Sequence, residues 1–71
     1  MRGQILSPFA AVARVVFADD LGIEYRVELP REGHSDREVR AVAYRIACQQ
    51  IAAGKYHPHG ELRYVSIGPA D

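Results

Sequence analysis

Apolar and polar residues alternate along three short stretches of the chain, and along a fourth they recur every three or four residues. The alternation is clearest from Ile23 to Leu29, where every second residue is apolar and the residues between are charged. A period of two is typical of strands with one buried face, whereas a period near 3.6 is typical of an amphipathic helix. The pattern therefore predicts strands over residues 9–18, 23–29 and 61–67 and a helix over residues 35–54.

Turn residues join the first two predicted strands. The segment from Asp19 to Gly22 begins with aspartates and ends with glycine at the position that favours a left-handed backbone, which is typical of a hairpin loop containing a type I turn. Adjacent aspartates in a turn usually accept local hydrogen bonds. We therefore interpret Asp19 and Asp20 as turn residues and not as a catalytic acid and base.

Both ends of the predicted helix carry capping signals. Ser35 and Glu38 form the S-x-x-E pattern of a capping box, in which each side chain accepts a hydrogen bond from the other residue's backbone amide. Gly54 supplies the left-handed residue that commonly ends a helix. At about 100° per residue, one arc of the helix forms an apolar face toward the sheet. This predicted core face consists of Val39, Val42, Ala43, Ile46, Ala47 and Ala53.

A second apolar stripe follows the other side of the same helix. A helix packed on one sheet usually turns a polar back to solvent, so this stripe requires cover. The cover could come from N-terminal residues such as Ile5, Leu6 and Phe9, from a second subunit or from a partner. The stripe consists of Ala41, Tyr44, Cys48, Ile51 and Ala52, with Arg40 and Arg45 beside it and Arg37 near its beginning.

The order of elements predicts an α+β fold: a small two-layer sandwich in which one helix packs on a three-stranded, mainly antiparallel sheet in the order β-β-α-β. The last strand either lies parallel beside the first or pairs at the sheet edge. Its alternation breaks at Val65, which predicts a β-bulge or burial on both faces. Residues 1–71 form a single domain in this interpretation, with residues 1–7 as a mobile lead. The two open sheet edges suggest pairing with a second copy.

Composition narrows the classes of function. The chain has 71 residues, 48% of them hydrophobic, and its nine basic and nine acidic residues cancel. A chain this short seldom forms both a core and a deep active-site cleft, which disfavours an enzyme and a small-molecule substrate. A single cysteine excludes a disulfide framework and fits a reducing compartment. The interrupted N-terminal apolar run disfavours a signal peptide or membrane span, so we expect a soluble, cytoplasmic protein.

Metal-binding and nucleophilic patterns are weak. His57 and His59, with His34 and Cys48, supply donor atoms that zinc accepts, but their spacing completes no known ligand set. Cys48 lies in the middle of the helix, where a free cysteine usually acts as a small apolar residue. No glycine-rich phosphate loop is present in the sequence. We therefore predict no catalytic residue, no metal site and no cofactor.

The remaining hypothesis is a binding domain, and a protein partner or a second copy is favoured. Aromatic and arginine side chains are common anchors of protein interfaces. The predicted partner-binding residues are Arg37, Arg40, Tyr44, Arg45, Cys48 and Ile51. The alternative is nucleic-acid binding through Arg14, Arg26, Arg37, Arg40 and Arg63.

In size, neutral charge and lack of a catalytic motif, the chain resembles the small accessory and inhibitor proteins of bacteriophages and other mobile elements, including anti-CRISPR proteins. The resemblance is one of general type and transfers no residues. It implies a steric mechanism, in which the helix surface docks on a bacterial protein and blocks it.

Overall fold

The computed structural model describes residues 12–70, in which one helix packs on one face of a three-stranded sheet. This arrangement confirms the predicted two-layer α+β fold and the order β-β-α-β. The predicted lead at residues 1–7 and the first residues of the first predicted strand lie outside the described residues. The elements are β1 (Val12–Ala18), β2 (Glu24–Pro30), α1 (Asp36–Ala52) and β3 (Arg63–Pro69).

The strand order is β2-β1-β3, and β1 is antiparallel to both of its neighbours. Of the two placements considered for the last strand, the edge placement is correct. Two strand ends differ from the predicted ranges: β2 extends to Pro30 and not only to residue 29, and β3 extends to Pro69 and not only to residue 67. Proline is tolerated there because a strand end at a sheet edge does not require its missing backbone donor.

The core lies between α1 and the sheet face that carries the odd-numbered residues of β1 and β2. Alternation predicted this face correctly for both strands, except at Ile23, which precedes β2 and is 45% exposed. The helix contributes two alanines and a valine, and these small side chains allow close approach to the strands. The core cluster consists of Ala13, Val15, Phe17, Val27, Leu29, Val39, Ala43 and Ala47.

The core face of the helix is rotated relative to the predicted face. Val42 is 38% exposed and Ala53 is exposed, so their predicted burial is wrong. The buried arc instead centres on Ala43 and Ala47 and extends to Gln50, which is half-buried. The cause is that α1 packs mainly on β2 and β1. One helix flank therefore faces solvent beyond β2, and the opposite flank faces β3.

Both predicted caps of the helix are confirmed. The Ser35 hydroxyl accepts from the Glu38 backbone amide at 3.2 Å, and the Glu38 carboxylate accepts from the Ser35 amide at 3.0 Å. The Ser35 amide is the main reason that the pKa of Glu38 lies below its ordinary value. Gly54 has φ of 80°, the left-handed conformation expected at the end of the helix. Local sequence therefore defines where α1 begins and ends.

The predicted irregularity in the last strand is a β-bulge. Val16 on β1 pairs with Ser66, whereas the next residue, Phe17, pairs with Tyr64, so Val65 is the extra residue. Beyond the bulge, Ile67 lies opposite Val15. Tyr64 and Ile67 therefore both lie on the helix side of the sheet, although they are three residues apart.

Asp19 connects the β1–β2 turn to the loop that precedes β3. Its carboxylate is buried, and one oxygen accepts from the backbone amides of Leu21 at 2.9 Å and Ile23 at 3.0 Å. These bonds confirm its role as a turn residue. The other oxygen accepts from the His59 backbone amide at 2.9 Å and lies 3.1 Å from the His59 Nδ1 atom. The Tyr25 hydroxyl donates to the same oxygen at 3.4 Å.

These contacts favour the ionised form of Asp19. Burial alone raises the pKa of a carboxyl group, but the bonds from His59, Ile23 and Leu21 outweigh that effect, so the pKa of Asp19 falls far below its ordinary value of 3.8. Burial and the adjacent Asp19 charge raise the pKa of Tyr25. The end of the molecule at which β1 meets β3 is therefore organised around one buried negative charge.

Both sheet edges carry features that oppose pairing with another strand. Along β2, the Tyr56 hydroxyl donates to the Arg26 carbonyl at 3.1 Å, and the Tyr56 ring packs on Tyr25 with centroids 5.0 Å apart. Along β3, the bulge at Val65 and the terminal Pro69 interrupt the edge. Bulges, proline and covering side chains are common protections of edge strands. Pairing of a second copy at either edge stays a prediction, and these features count against it.

The single helix described is α1, and no helix within residues 12–70 combines the length and apolar character that crossing a membrane requires.

The depressed pKa of Asp19 predicts a pH-dependent contribution to stability. Folding favours the ionised carboxylate, so this contribution is complete above the ordinary pKa of 3.8 and is lost as the pH falls through the folded-state value. In Asp19→Asn, the side-chain NH2 group, which is itself a hydrogen-bond donor, would lie against backbone N–H groups that also donate. We expect a melting temperature lower by roughly 5–15 °C at pH 7. We also expect a flatter dependence of melting temperature on pH between about 2 and 6.

Thermal unfolding followed by circular dichroism at several pH values tests this expectation. Asp20→Asn is the matched control, because the Asp20 carboxylate is exposed and its ion pair with Arg63 spans 3.7 Å. The control should change the melting temperature little. Equal acid sensitivity in Asp19→Asn and the unaltered protein would show that Asp19 does not carry the acid response.

Candidate functional site

An open groove runs between the helix and the edge strand β3. It has a volume of about 860 Å³ and lies on the helix flank that the core does not use. We call it the α1–β3 groove. Its lining residues are Phe17, Asp36, Arg37, Arg40, Ala41, Tyr44, Leu62, Tyr64 and Ile67.

The groove exists because α1 packs mainly on β2 and β1, leaving the helix-facing side of β3 without full cover. The bulge at Val65 enlarges the apolar surface there, since it brings both Tyr64 and Ile67 to that side. Leu62, which precedes β3, is partly buried and packs against the core cluster, as does Ile67. The floor of the groove is thus continuous with the core but open to solvent.

Aromatic rings form both walls. The Tyr44 ring contacts the Phe17 ring edge-on, with centroids 5.8 Å apart and an interplanar angle of 68°. Tyr64 of β3 forms the opposite wall. The Arg40 guanidinium, which comes from the helix, lies 3.7 Å from the centroid of the Tyr64 ring in a cation–π contact. Tyr44 nevertheless remains 48% exposed and Tyr64 37% exposed. These rings therefore retain accessible surface for a ligand.

Positive charge lies along the helix side of the groove. Within residues 12–70, Arg37 and Arg40 form no ion pair with a carboxylate. The one acidic residue of the lining, Asp36, accepts a short hydrogen bond of 2.6 Å from Arg31. Asp36 is therefore neutralised by a residue outside the groove, and the two arginines are left to act on whatever enters it.

The structure brings together half of the predicted partner-binding residues. Arg37, Arg40 and Tyr44 line the groove, as does Ala41 of the second apolar stripe. The other predicted residues are not among the lining residues: Arg45 and Cys48 are exposed elsewhere on the helix, and Ile51 is half-buried.

The arginines of the nucleic-acid alternative are divided between two faces of the sheet. Arg14 pairs with Glu28 at 2.8 Å, and Arg26 approaches Glu24 at 3.5 Å, both on the face away from the helix. Arg63 approaches a carboxylate oxygen of Asp20 at 3.7 Å. Arg37 and Arg40 lie in the groove on the helix side. These arginines form no continuous basic surface.

The candidate metal ligands lie in separate places. The His59 ring approaches Asp19, whereas His34 lies 3.4 Å from Glu38 at the beginning of the helix. Cys48 is exposed in the second half of α1. Within residues 12–70, no three histidine, cysteine or acidic side chains are grouped so that they could hold a metal ion.

Sequence reasoning missed the strand side of the groove. Leu62, Tyr64 and Ile67 belong to it, yet none of them is among the predicted binding residues. Their role depends on β3 lying at the edge that the helix leaves open and on the bulge that turns Ile67 inward. The break of alternation at Val65 was the one local signal of this arrangement.

Comparison with known proteins assigns no role to this groove. The sequence matches no protein-family model, and no similar protein is found among curated proteins or solved structures. Its functional interpretation therefore rests on its own side chains.

The contact between Arg40 and Tyr64 predicts a measurable energetic coupling. We expect a double-mutant cycle of Arg40→Gln and Tyr64→Leu to give a coupling of about 0.5–1 kcal/mol, the usual range for an exposed cation–π pair. Urea denaturation of the four proteins measures it.

The control cycle replaces Arg45, which is exposed and lies outside the groove lining, with glutamine in the same Tyr64→Leu background. Its coupling should be zero within error. A coupling for Arg40 no larger than that for Arg45 would contradict the contact.

Proposed function

We propose that this protein is a non-enzymatic binding domain and that it docks on a partner protein through the α1–β3 groove. The observation that carries the proposal is the open apolar groove between two partly exposed tyrosines, with two arginines along one side that pair with no carboxylate of residues 12–70. Protein interfaces commonly combine aromatic and arginine anchors with an apolar centre. The groove offers this combination in one place.

The side chains of the groove suit a segment of a protein better than a nucleic acid. Its floor is built from Phe17, Leu62 and Ile67, so an occupant gains most by placing apolar side chains there. Nucleic-acid binding would instead benefit from a continuous basic surface. Of the arginines considered for nucleic-acid binding, the three outside the groove already approach carboxylates: Arg14, Arg26 and Arg63.

A role without catalysis is part of the same proposal. The groove lining consists of aromatic rings, aliphatic side chains and guanidinium groups, with Asp36 held by Arg31. This lining includes no serine, cysteine or histidine that could act as nucleophile or general base. Such a lining suits recognition of a ligand surface more than acid–base chemistry.

Adjacent helix positions provide a matched test of the groove. Ala41 lines it, whereas Val42 is exposed on the other flank of the helix. Arginine favours helices, so Ala41→Arg and Val42→Arg should both fold, but only the first fills the groove with a long charged side chain. In capture from a nuclease-treated bacterial lysate, we expect Ala41→Arg to recover about tenfold less partner protein.

Quantitative mass spectrometry of the eluates gives the result, and circular dichroism confirms folding of both variants. Val42→Arg should recover the same partner as the unaltered protein. Equal recovery by Ala41→Arg would exclude the groove as the docking surface. Recovery that disappears on nuclease treatment would favour the nucleic-acid alternative.

A further inference from the structure

We infer that the α1–β3 groove recognises a segment of a partner protein in which a carboxylate side chain lies close to an apolar or aromatic one. This inference rests on the proposed function and specifies the chemistry of the partner. The groove presents two kinds of surface side by side, an apolar floor and a pair of arginines. An occupant that satisfies both must itself be part apolar and part negative.

The arginine pairs give the strongest support. Within residues 12–70, each arginine outside the helix has a carboxylate oxygen within 3.7 Å of its guanidinium group, namely Arg14, Arg26, Arg31 and Arg63. The arginines of the helix have none in that part of the chain: Arg37, Arg40 and Arg45. Two of these three line the groove. Among the described residues, the arginines without a carboxylate partner thus lie mainly where an occupant would bind.

The geometry of Arg40 suits carboxylate recognition. Its guanidinium carbon lies over the Tyr64 ring, 3.7 Å from the centroid. A cation–π contact of this kind restrains the side chain without using its N–H groups as hydrogen-bond donors, so they can donate to an occupant. Arg37 is three residues away on the same helix, a spacing that places side chains next to one another. The two guanidinium groups can therefore donate hydrogen bonds to one carboxylate or to two neighbouring carboxylates.

Two other occupants from the same sequence fit the groove less well. Residues 1–11 contain apolar side chains but no aspartate or glutamate, so they would leave both arginines unpaired. The hairpin tip of a second copy offers the exposed Leu21 between Asp20 and Glu24. Those carboxylates already approach arginines of their own chain, at 3.7 Å and 3.5 Å. A carboxylate-bearing segment of another protein meets neither objection.

A random peptide library tests the inference without a known partner. Twelve-residue peptides displayed on phage are selected on the immobilised full chain, after depletion on Ala41→Arg. We expect the enriched peptides to carry aspartate or glutamate within a few positions of an aromatic or aliphatic residue. The strongest synthetic peptide should bind about tenfold more weakly to Arg37→Gln and to Arg40→Gln, as measured by fluorescence anisotropy.

Two matched controls isolate the charge contact. Arg45→Gln removes the helix arginine that does not line the groove and should leave peptide affinity unchanged. Replacing the peptide's acidic residue with its amide should weaken binding to the unaltered protein about tenfold but should have little further effect in Arg37→Gln or Arg40→Gln. This loss of additivity identifies the arginine that contacts the carboxylate.

The outcomes separate this inference from the proposed function. Enriched peptides without acidic residues, or equal effects of Arg40→Gln and Arg45→Gln, overturn the inference but leave the groove as a binding site. No enrichment over Ala41→Arg overturns both. Binding of a 20-nucleotide oligothymidylate that Arg37→Gln weakens would reassign the arginines to phosphate. Self-association that a Leu21→Ser change abolishes would make a second copy the occupant.

Discussion

The single helix is narrower than the three-stranded sheet, and this difference in width determines which strands are covered and where the groove lies. An α-helix with its side chains is about 10 Å across, whereas neighbouring strands lie about 4.8 Å apart. A helix placed between β2 and β1 therefore covers two strands and leaves the third incompletely covered. The α1–β3 groove follows from this mismatch. The floor of the groove is apolar like the core, but it is accessible from the surface. Binding sites commonly combine these two properties.

The sequence predicted the parts of the fold that depend on neighbouring residues. Ser35 and Glu38 specify the helix start, and the β1–β2 turn forms as its aspartates and Gly22 indicated. The prediction of the helix face was less accurate, because the strands that a helix covers depend on the sheet order. Periodicity alone places Val42 on the core face, yet the rotation of α1 toward Ala43 leaves it exposed.

The two sides of the groove also differ in whether local sequence predicts them or whether they depend on residues distant in sequence. Its helix side was accessible to pattern analysis, since an apolar stripe containing Tyr44 and flanked by arginines is unusual on the back of a surface helix. Its strand side depends on pairing between β1 and β3 and on the bulge at Val65. The link from Asp19 to His59 is similarly distant in sequence. This bond holds the loop that leads into β3, so the position of the groove's outer wall depends on a buried carboxylate at the end of the sheet.

The strand order also has a consequence for how the chain folds. The central strand β1 comes first among the described elements, and its two partners are very unequally distant in sequence. Pairing with β2 needs only a short turn, whereas pairing with β3 must wait until the helix and the following loop have been synthesised. Non-local pairings form slowly, and unpaired strand edges are prone to aggregate. The edge of β1 that finally pairs with β3 is therefore open to wrong partners until the end of the described chain has been synthesised.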